Sequence, residues 1–204
     1  MKKSHTIVAG LGSTLALAII LPVTAPEPAA AAIGKERAQR TNIYIQGDSL
    51  SVGAGQAIRR KLTPSVNKVT VDAQVGRQTS TGLARTKSAK SAGQSRVWVM
   101  ALGTNDAPRA AVIKRQIKQS LKISGKKRQV AWVTIQRPGS YGNVNKMMRK
   151  YAKKKKRLHL VDWAKRTYER PSLLRSDRVH ATHTGYEVRA QMISNTVLQI
   201  ARTT

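Results

Sequence analysis

Asn42-Ile43-Tyr44-Ile45-Gln46-Gly47-Asp48-Ser49-Leu50 is the stretch that decides the fold of this chain of 204 residues. Its first five residues form a short apolar run of the kind that builds a buried strand. A serine that directly follows such a strand lies at the turn into the next element, where a hydroxyl can point into a cleft. Ser49 is therefore a candidate nucleophile, which would need a general base and hydrogen-bond donors from other parts of the chain.

Similar apolar, β-branched runs recur at residues 68–74, 96–102, 129–135 and 157–161. Stretches with helical character lie between them, at residues 50–62, 81–92, 108–123 and 141–156, and a last one covers residues 184–201. Strands that are apolar on both faces and alternate with helices indicate a parallel sheet that is covered on both sides. The sequence thus predicts one α/β domain, a three-layer α/β/α sandwich around a five-stranded parallel sheet.

The first 32 residues have the pattern of a secretory signal peptide. Lys2 and Lys3 supply the charged start, residues 7–21 are mostly apolar, and the alanines at 29–32 are small enough for cleavage. We expect cleavage near Ala32, a flexible lead-in over residues 33–40, and a domain over residues 41–204. An uncleaved membrane anchor is the alternative, but the apolar segment is short for a span and prolines follow it. The expected location is outside the cell or at the cell envelope.

The composition indicates an anionic partner. The formal charge is +29, and the chain without its first 32 residues still has 36 basic and 8 acidic residues, with a dense run at 153–157. A cell-wall polymer, an acidic membrane surface and non-specific contact with nucleic acid all fit this charge. Charge that serves solubility alone is the alternative. The absence of cysteine excludes disulfides and thiolate metal sites.

Acyl transfer by a serine needs a base and a group that orients the base. His180 and Asp177, in Asp177-Arg178-Val179-His180, supply both within a short segment. The negative oxygen that forms during attack needs donors, and Ser49, Gly76 and Asn105 are candidates because each follows a predicted strand. Parallel strands bring such segments together at their carboxyl ends.

Each of these residues also has a simpler interpretation. Ser49 is a possible helix N-cap, Asn105 a cap of the loop before Pro108, and His183 a rival to His180. We favour the catalytic interpretation because the groups occur together. No histidine remains for a metal site besides His159, within a strand pattern, and His5, within the signal segment, and acidic residues are not clustered, so no metal is expected.

The four segments resemble the SGNH hydrolases, or GDSL esterases, whose blocks supply Ser, Gly, Asn and His in this chain order. The resemblance covers residues 43 to about 186 and implies a flavodoxin-like sheet. It also implies Ser49 as nucleophile, His180 as base, Asp177 as its orienter, and an oxyanion hole from Ser49, Gly76 and Asn105, with no organic cofactor. Arg178 stands where many members have glycine. The segment Val161-Asp162-Trp163 precedes the Asp-x-x-His block here. In this it resembles the extracellular SGNH domains of bacterial cell-wall O-acetyltransferases.

The resulting hypothesis is a secreted serine esterase that acts on ester-linked acyl groups, with O-acetylated carbohydrate of the cell envelope as the preferred substrate. The alternatives are an acyltransferase to a cell-wall glycan, a lipid esterase, and a basic module that binds an anionic polymer without catalysis. The oligomeric state is not predicted.

Overall fold

A computed structural model describes residues 29–204, so most of the expected signal peptide lies outside the described residues. Its centre is one parallel sheet of five strands in the order β2-β1-β3-β4-β5. This order is that of flavodoxin-like folds, in which ligands bind beyond the carboxyl ends of the strands. The predicted α/β sandwich is confirmed. The strands are β1 (Asn42–Gly47), β2 (Lys68–Ala73), β3 (Val97–Ala101), β4 (Gln129–Val133) and β5 (Leu158–Val161).

Helices cover both faces of the sheet. The apolar side chains of α2 and α8 pack on one face, and those of α3, α5 and α6 pack on the other. The described helices are α1 (Ala29–Gln39), α2 (Ser49–Leu62), α3 (Thr79–Ser88), α4 (Lys90–Gly93), α5 (Ala110–Ile123), α6 (Tyr141–Ala152), α7 (Trp163–Glu169) and α8 (His183–Thr203), with a 3₁₀ turn at Pro171–Leu173. Within residues 29–204, no helix is long and apolar enough to cross a membrane.

The strands form because their side chains are buried on both faces. Ile43 and Ile45 of β1 are fully buried in the core on the α2–α8 side, and Trp132 of β4 is fully buried on the α5–α6 side. Full burial of one such aliphatic side chain contributes about 1.5–3 kcal/mol. Trp98 of β3 is also buried, so both of these tryptophans belong to the core.

The first described residues, from Ala29, are helical, whereas a flexible lead-in was expected over residues 33–40. Residues 29–39 form helix α1, so the prediction of an unstructured segment at 33–40 is wrong. Alanine is the strongest helix former, and four alanines begin this helix. Gly34 and Ala38, one helical turn apart, are both buried, and Gly34 lies close to Arg202 of α8. Signal cleavage near Ala32 stays a prediction.

Two further differences concern short helices. The helix predicted over residues 81–92 is broken at Ala89, whose extended backbone separates α3 from α4. Helix α7 was not predicted, because its seven residues are too few to show a helical period. It begins after Asp162, whose carboxylate accepts a hydrogen bond from the backbone N–H of Lys165 and so caps the helix.

Candidate active site

Ser49 is the first residue of α2, directly after β1. The N-cap of this helix is Asp48, whose Oδ1 accepts a hydrogen bond from the backbone N–H of Leu50 at 3.0 Å. The alternative role of Ser49 as the N-cap is therefore wrong. Its hydroxyl is half-buried and faces His180 instead.

Three side chains form a chain of hydrogen bonds at this edge of the sheet. Oγ of Ser49 lies 3.1 Å from Nε2 of His180, and Nδ1 of the same ring lies 2.7 Å from Oδ2 of Asp177. An ionised carboxylate only accepts hydrogen bonds, so Nδ1 carries the proton and Nε2 is free to accept one from the serine. This arrangement can increase the nucleophilicity of a serine hydroxyl.

The short segment between Asp177 and His180 holds the carboxylate in place. Oδ1 of Asp177 accepts hydrogen bonds from the backbone N–H groups of Val179 and His180, both at 2.9 Å. The hydrogen bond from His180 lowers the pKa of Asp177 to about 2, and the two backbone N–H groups add to this effect. Asp177 is therefore ionised throughout the neutral pH range.

His183 is not part of this chain of hydrogen bonds. It is the first residue of α8, is exposed, and lines a separate cavity of about 360 Å³ beside Gly53 and Glu187. His159 is half-buried in β5 and lies 3.0 Å from Oε1 of Gln129. Among the described histidines, only His180 lies within hydrogen-bond distance of Ser49.

Gly76 and Asn105 lie on the loops that follow β2 and β3. Gly76 has φ +73°, a conformation that favours glycine, and the space where a Cβ would stand is open. Nδ2 of Asn105 donates a hydrogen bond to the carbonyl of Arg77 at 3.2 Å, so the amide ties the two loops together. The amide carries a second hydrogen, which is free to donate to an incoming oxygen. The alternative role for Asn105 was to cap the loop before Pro108, but the hydrogen bond that its amide makes goes to Arg77 on the neighbouring loop.

Buried polar contacts fix both loops. Asp106 accepts hydrogen bonds from the backbone N–H of Thr79 at 3.0 Å and from its hydroxyl at 2.6 Å. Nη1 of the buried Arg77 lies 2.9 Å from Oδ1 of Asp72 and also contacts Gln46 of β1. The loops that carry Gly76 and Asn105 are therefore anchored to each other and to the sheet.

A buried arginine, Arg189, lies near Asp48 and was not predicted from the sequence. Its guanidinium lies 5.2 Å from the centroid of the Trp163 ring, and its Nε and Nη1 have no hydrogen-bond partner. Burial lowers the pKa of Arg189 to about 10, and burial raises the pKa of Asp48, while the charges of the two residues favour each other's ionised forms. A signal did exist, since Arg189 lies four residues from both Gly185 and Ile193 on the buried stripe of α8.

Arg178 has a left-handed backbone conformation, with φ +56°, and no other non-glycine residue among those described has positive φ. Its side chain is exposed, and its carbonyl accepts a hydrogen bond from Gln136 at 3.3 Å. The position where the sequence departs from the glycine of many SGNH hydrolases thus has a conformation that suits glycine.

A cavity of about 480 Å³ lies between the loop after β4, α6 and α7. Arg137, Tyr141, Lys165 and Tyr168 are among its lining residues, and Tyr168 is 87% exposed. Two hydrogen bonds join this loop to the Asn105 segment: Arg137 donates to the carbonyl of Thr104, and Tyr141 donates to the carbonyl of Asp106. The cavity is therefore next to the loop that carries Asn105. Within residues 29–204, no three acidic or histidine side chains are grouped so as to hold a metal ion.

Comparison with known proteins supports the fold and the resemblance. No protein-family model matches the chain. The O-acetyltransferase OatA of Staphylococcus aureus (strain NCTC 8325 / PS 47) is 29% identical over 166 residues, which are 80% of this chain and 26% of that protein. The chain thus spans about a quarter of the length of the curated relatives that it matches.

Two solved structures are similar in fold. The C-terminal catalytic domain of the peptidoglycan O-acetyltransferase A of Streptococcus pneumoniae has a TM-score of 0.68 at 23% identity, over 80% of this chain and 96% of that one. A GDSL-like lipase from Bacteroides thetaiotaomicron has a TM-score of 0.67 at 15% identity, over 84% of this chain and 94% of that one. The resemblance to SGNH hydrolases and to cell-wall O-acetyltransferases is confirmed.

Proposed function

We propose that the chain is a serine esterase or O-acyltransferase that acts through an acyl-enzyme on O-acetylated glycan of the cell envelope. The observation that carries this proposal is the chain of contacts from Ser49 Oγ to His180 Nε2 at 3.1 Å and from His180 Nδ1 to Asp177 Oδ2 at 2.7 Å. Three groups in this order have a clear use in acyl transfer, and the fold itself does not require them.

The first half of the reaction forms the acyl-enzyme. Ser49 Oγ attacks the ester carbonyl carbon while His180 Nε2 takes the hydroxyl proton, and the ionised Asp177 stabilises the imidazolium. The backbone N–H groups of Ser49 and Gly76 and the free amide hydrogen of Asn105 bind the negative oxygen of the tetrahedral intermediate. The C–O bond to the leaving alcohol then breaks, and His180 returns the proton to that alcohol.

The second half of the reaction regenerates Ser49. His180 takes a proton from the acceptor, whose oxygen attacks the acyl carbonyl carbon. The bond from this carbon to Ser49 Oγ then breaks, and His180 returns the proton to Ser49 Oγ. Water as acceptor gives hydrolysis, whereas a sugar hydroxyl gives transfer to a glycan. Both outcomes use the same residues, so the two activities belong to one proposal.

Two observations support a glycan in preference to a lipid. The curated relatives reported above are O-acetyltransferases, and of the two similar solved structures the peptidoglycan O-acetyltransferase domain has the higher sequence identity, at 23% against 15% for the GDSL-like lipase. The exposed Tyr168 at the 480 Å³ cavity offers an aromatic surface for a sugar ring. The other exposed large apolar side chains of the described part of the chain, Ile33, Val52 and Val75, lie on three separate elements: α1, α2 and the loop after β2. Action at the cell envelope, after cleavage near Ala32, belongs to the same proposal.

The test uses O-acetylated peptidoglycan fragments together with an unacetylated glycan oligosaccharide. Released acetate and acetylated oligosaccharide are measured by mass spectrometry for the wild type, for Ser49→Ala and for Ser80→Ala, an exposed serine of α3 that serves as control. We expect wild type and Ser80→Ala to give one or both products and Ser49→Ala to give neither. Faster turnover of long-chain lipid esters than of acetylated glycan would overturn the substrate assignment, and equal activity of Ser49→Ala would overturn the mechanism.

A further inference from the structure

One part of the chain carries many positive charges and no negative charge. Between Asp106 and Asp162 the sequence has 17 lysines and arginines and no aspartate or glutamate. Fourteen of these side chains are exposed. On the opposite face of the sheet, α8 has one buried arginine, Arg189, and one exposed arginine, Arg202. The cations of α2 on that face include Arg60 and Lys61, and both of these pair with Glu187. Charge that served solubility alone would not need this asymmetry.

The cations form a surface that we call the α5–α6 face. It consists of the exposed side of α5, the loop at residues 124–128, the exposed side of α6 and the lysine run at residues 153–156. Contacts between these parts make the surface continuous. Lys114 of α5 and Lys155 of the lysine run lie 5.7 and 5.8 Å from the centroid of the same ring, Tyr151. Arg157 donates hydrogen bonds to the carbonyls of Leu121 and Gly125 and thus joins the run to the end of α5.

The spacing of the lysines weakens the helices that carry them. Lys114, Lys118 and Lys122 follow one another at intervals of four residues on α5, and Lys146 and Lys150 do so on α6. Like charges at this spacing are neighbours on a helix surface and repel each other. Cations near a helix C-terminus are favourable, but Lys114 and Lys146 lie in the first half of their helices. The contact of Lys114 with Tyr151 and the position of Lys122 in the last turn of α5 offset part of this repulsion. A ligand that neutralises the row would remove the rest of it.

We propose that the α5–α6 face binds a flexible phosphodiester polymer that lacks aromatic bases, such as a polyglycerol phosphate. The face carries mostly lysines, which are compact point charges and bind phosphate without the fixed fork geometry of arginine. A polymer with one charge in each short repeat matches rows of exposed lysines. This proposal does not depend on the catalytic one, because none of its residues lies among Ser49, Gly76, Asn105, Asp177 and His180.

The structure argues against two other anionic partners. Membrane-surface helices insert large apolar side chains beside their cations, whereas the exposed large apolar residues in the described part of the chain, Ile33, Val52, Val75 and Tyr168, all lie outside this face. Proteins that bind single-stranded nucleic acid stack bases on aromatic rings. The ring of Tyr151 is already covered by Lys114 and Lys155.

The experiment measures binding of fluorescently labelled polyglycerol phosphate by anisotropy at several salt concentrations. The test variant is K114Q/K118Q/K122Q on α5, and the control variant K35Q/R37Q/K68Q removes the same charge from exposed positions of α1 and β2. We expect the test variant to lose about 2 from the salt slope, since each lost contact changes the slope by roughly 0.7, and therefore to bind about 100-fold more weakly near 0.1 M salt. The control variant should stay within about twofold of the wild type.

Two further readouts separate this proposal from a folding defect and from the catalytic proposal. The melting temperature of the test variant should stay close to that of the wild type, because the loss of like-charge pairs offsets the loss of the Lys114 contact with Tyr151. Both variants should hydrolyse a small acetyl ester at the wild-type rate. Equal loss of polymer binding in both variants would overturn the proposal. Tighter binding to vesicles of anionic lipid, or displacement of the polymer by an equal charge of single-stranded DNA, would also overturn it.

Discussion

Asp177 contacts His180 at both its ring and its backbone. Oδ2 of the carboxylate lies 2.7 Å from Nδ1 of the imidazole, and Oδ1 lies 2.9 Å from the backbone nitrogen of the same residue. The two oxygens thus have separate tasks, since one orients the ring and the other holds the loop. A substitution can therefore change the contact with the ring and keep the contact with the backbone.

Asp177→Asn is that substitution. The carbonyl oxygen of asparagine can replace Oδ1 as acceptor for the backbone N–H groups, but the amide nitrogen would then donate to Nδ1. His180 would be held in the tautomer that has its proton on Nε2, where it cannot accept the proton of Ser49. We expect kcat to fall by about 10³- to 10⁴-fold, measured with an acetyl ester.

The control for Asp177→Asn is Glu169→Gln, which removes another exposed carboxylate, on α7. It should leave kcat unchanged. Circular dichroism should show the same fold for both variants. A decrease of less than about tenfold for Asp177→Asn would mean that the carboxylate does not set the tautomer.

Asn105→Ala tests the donors for the negative oxygen. The substitution removes an amide that already donates to the carbonyl of Arg77, so we expect a loss of stability of about 0.5–1.5 kcal/mol. Loss of one oxyanion donor should lower kcat by about 100- to 1000-fold, with a much smaller effect on KM. Steady-state kinetics would check this, with Asn143→Ala on the exposed side of α6 as control. A rise in KM at unchanged kcat would assign Asn105 to substrate binding alone.

Arg178→Gly should stabilise the fold. The left-handed conformation at φ +56° destabilises the folded state by about 1–2 kcal/mol for a non-glycine residue, and the substitution would remove this cost. Glycine opposes the gain, because its conformational entropy stabilises the unfolded state by about 0.4–1 kcal/mol. The difference predicts a gain of up to about 1 kcal/mol in the free energy of unfolding, measured with urea. Arg175→Gly, nearby and without positive φ, should instead destabilise the fold. Equal destabilisation by both substitutions would show that Arg178 is not strained.

Arg189→Met should destabilise the fold strongly. The substitution leaves the buried carboxylate of Asp48 without its opposite charge, which typically costs about 3–5 kcal/mol. The double variant Asp48→Asn/Arg189→Met should recover most of that loss, because asparagine is neutral and still caps α2. Urea unfolding of the two variants and of Arg202→Met, an exposed control on the same helix, would measure the difference. A single variant within about 1 kcal/mol of the wild type would contradict this account.

Local patterns predicted the central elements well. The expected strand at residues 68–74 is β2 at Lys68–Ala73, and the helix expected from residue 184 is α8, which begins at His183. These elements were predictable because strands that are buried on both faces leave a continuous apolar run in the sequence. Parallel strands then bring the segments of Ser49 and His180 to one edge, so their contact followed from the fold class.

Features that depend on contacts between distant residues were not predictable. The spacing of Arg189 from Gly185 and Ile193 indicates its burial, but its position near Asp48 depends on how α8 packs against α2, which no local pattern specifies. Helix α1 was missed because the signal-peptide pattern dominated the interpretation of the alanines at 29–32, whereas its burial of Gly34 depends on α8. The left-handed backbone of Arg178 was hidden because the residue is not glycine.

The most direct test of the central claim is the intact mass of the protein after treatment with a fluorophosphonate. The wild type should gain one adduct that peptide mapping assigns to Ser49, and Ser49→Ala should gain none. Hydrolysis of an acetyl ester, measured in parallel, should be lost in the treated wild type and in Ser49→Ala. A folded wild-type protein that gains no adduct, or that gains it at another serine, would contradict the proposal that Ser49 is an activated nucleophile.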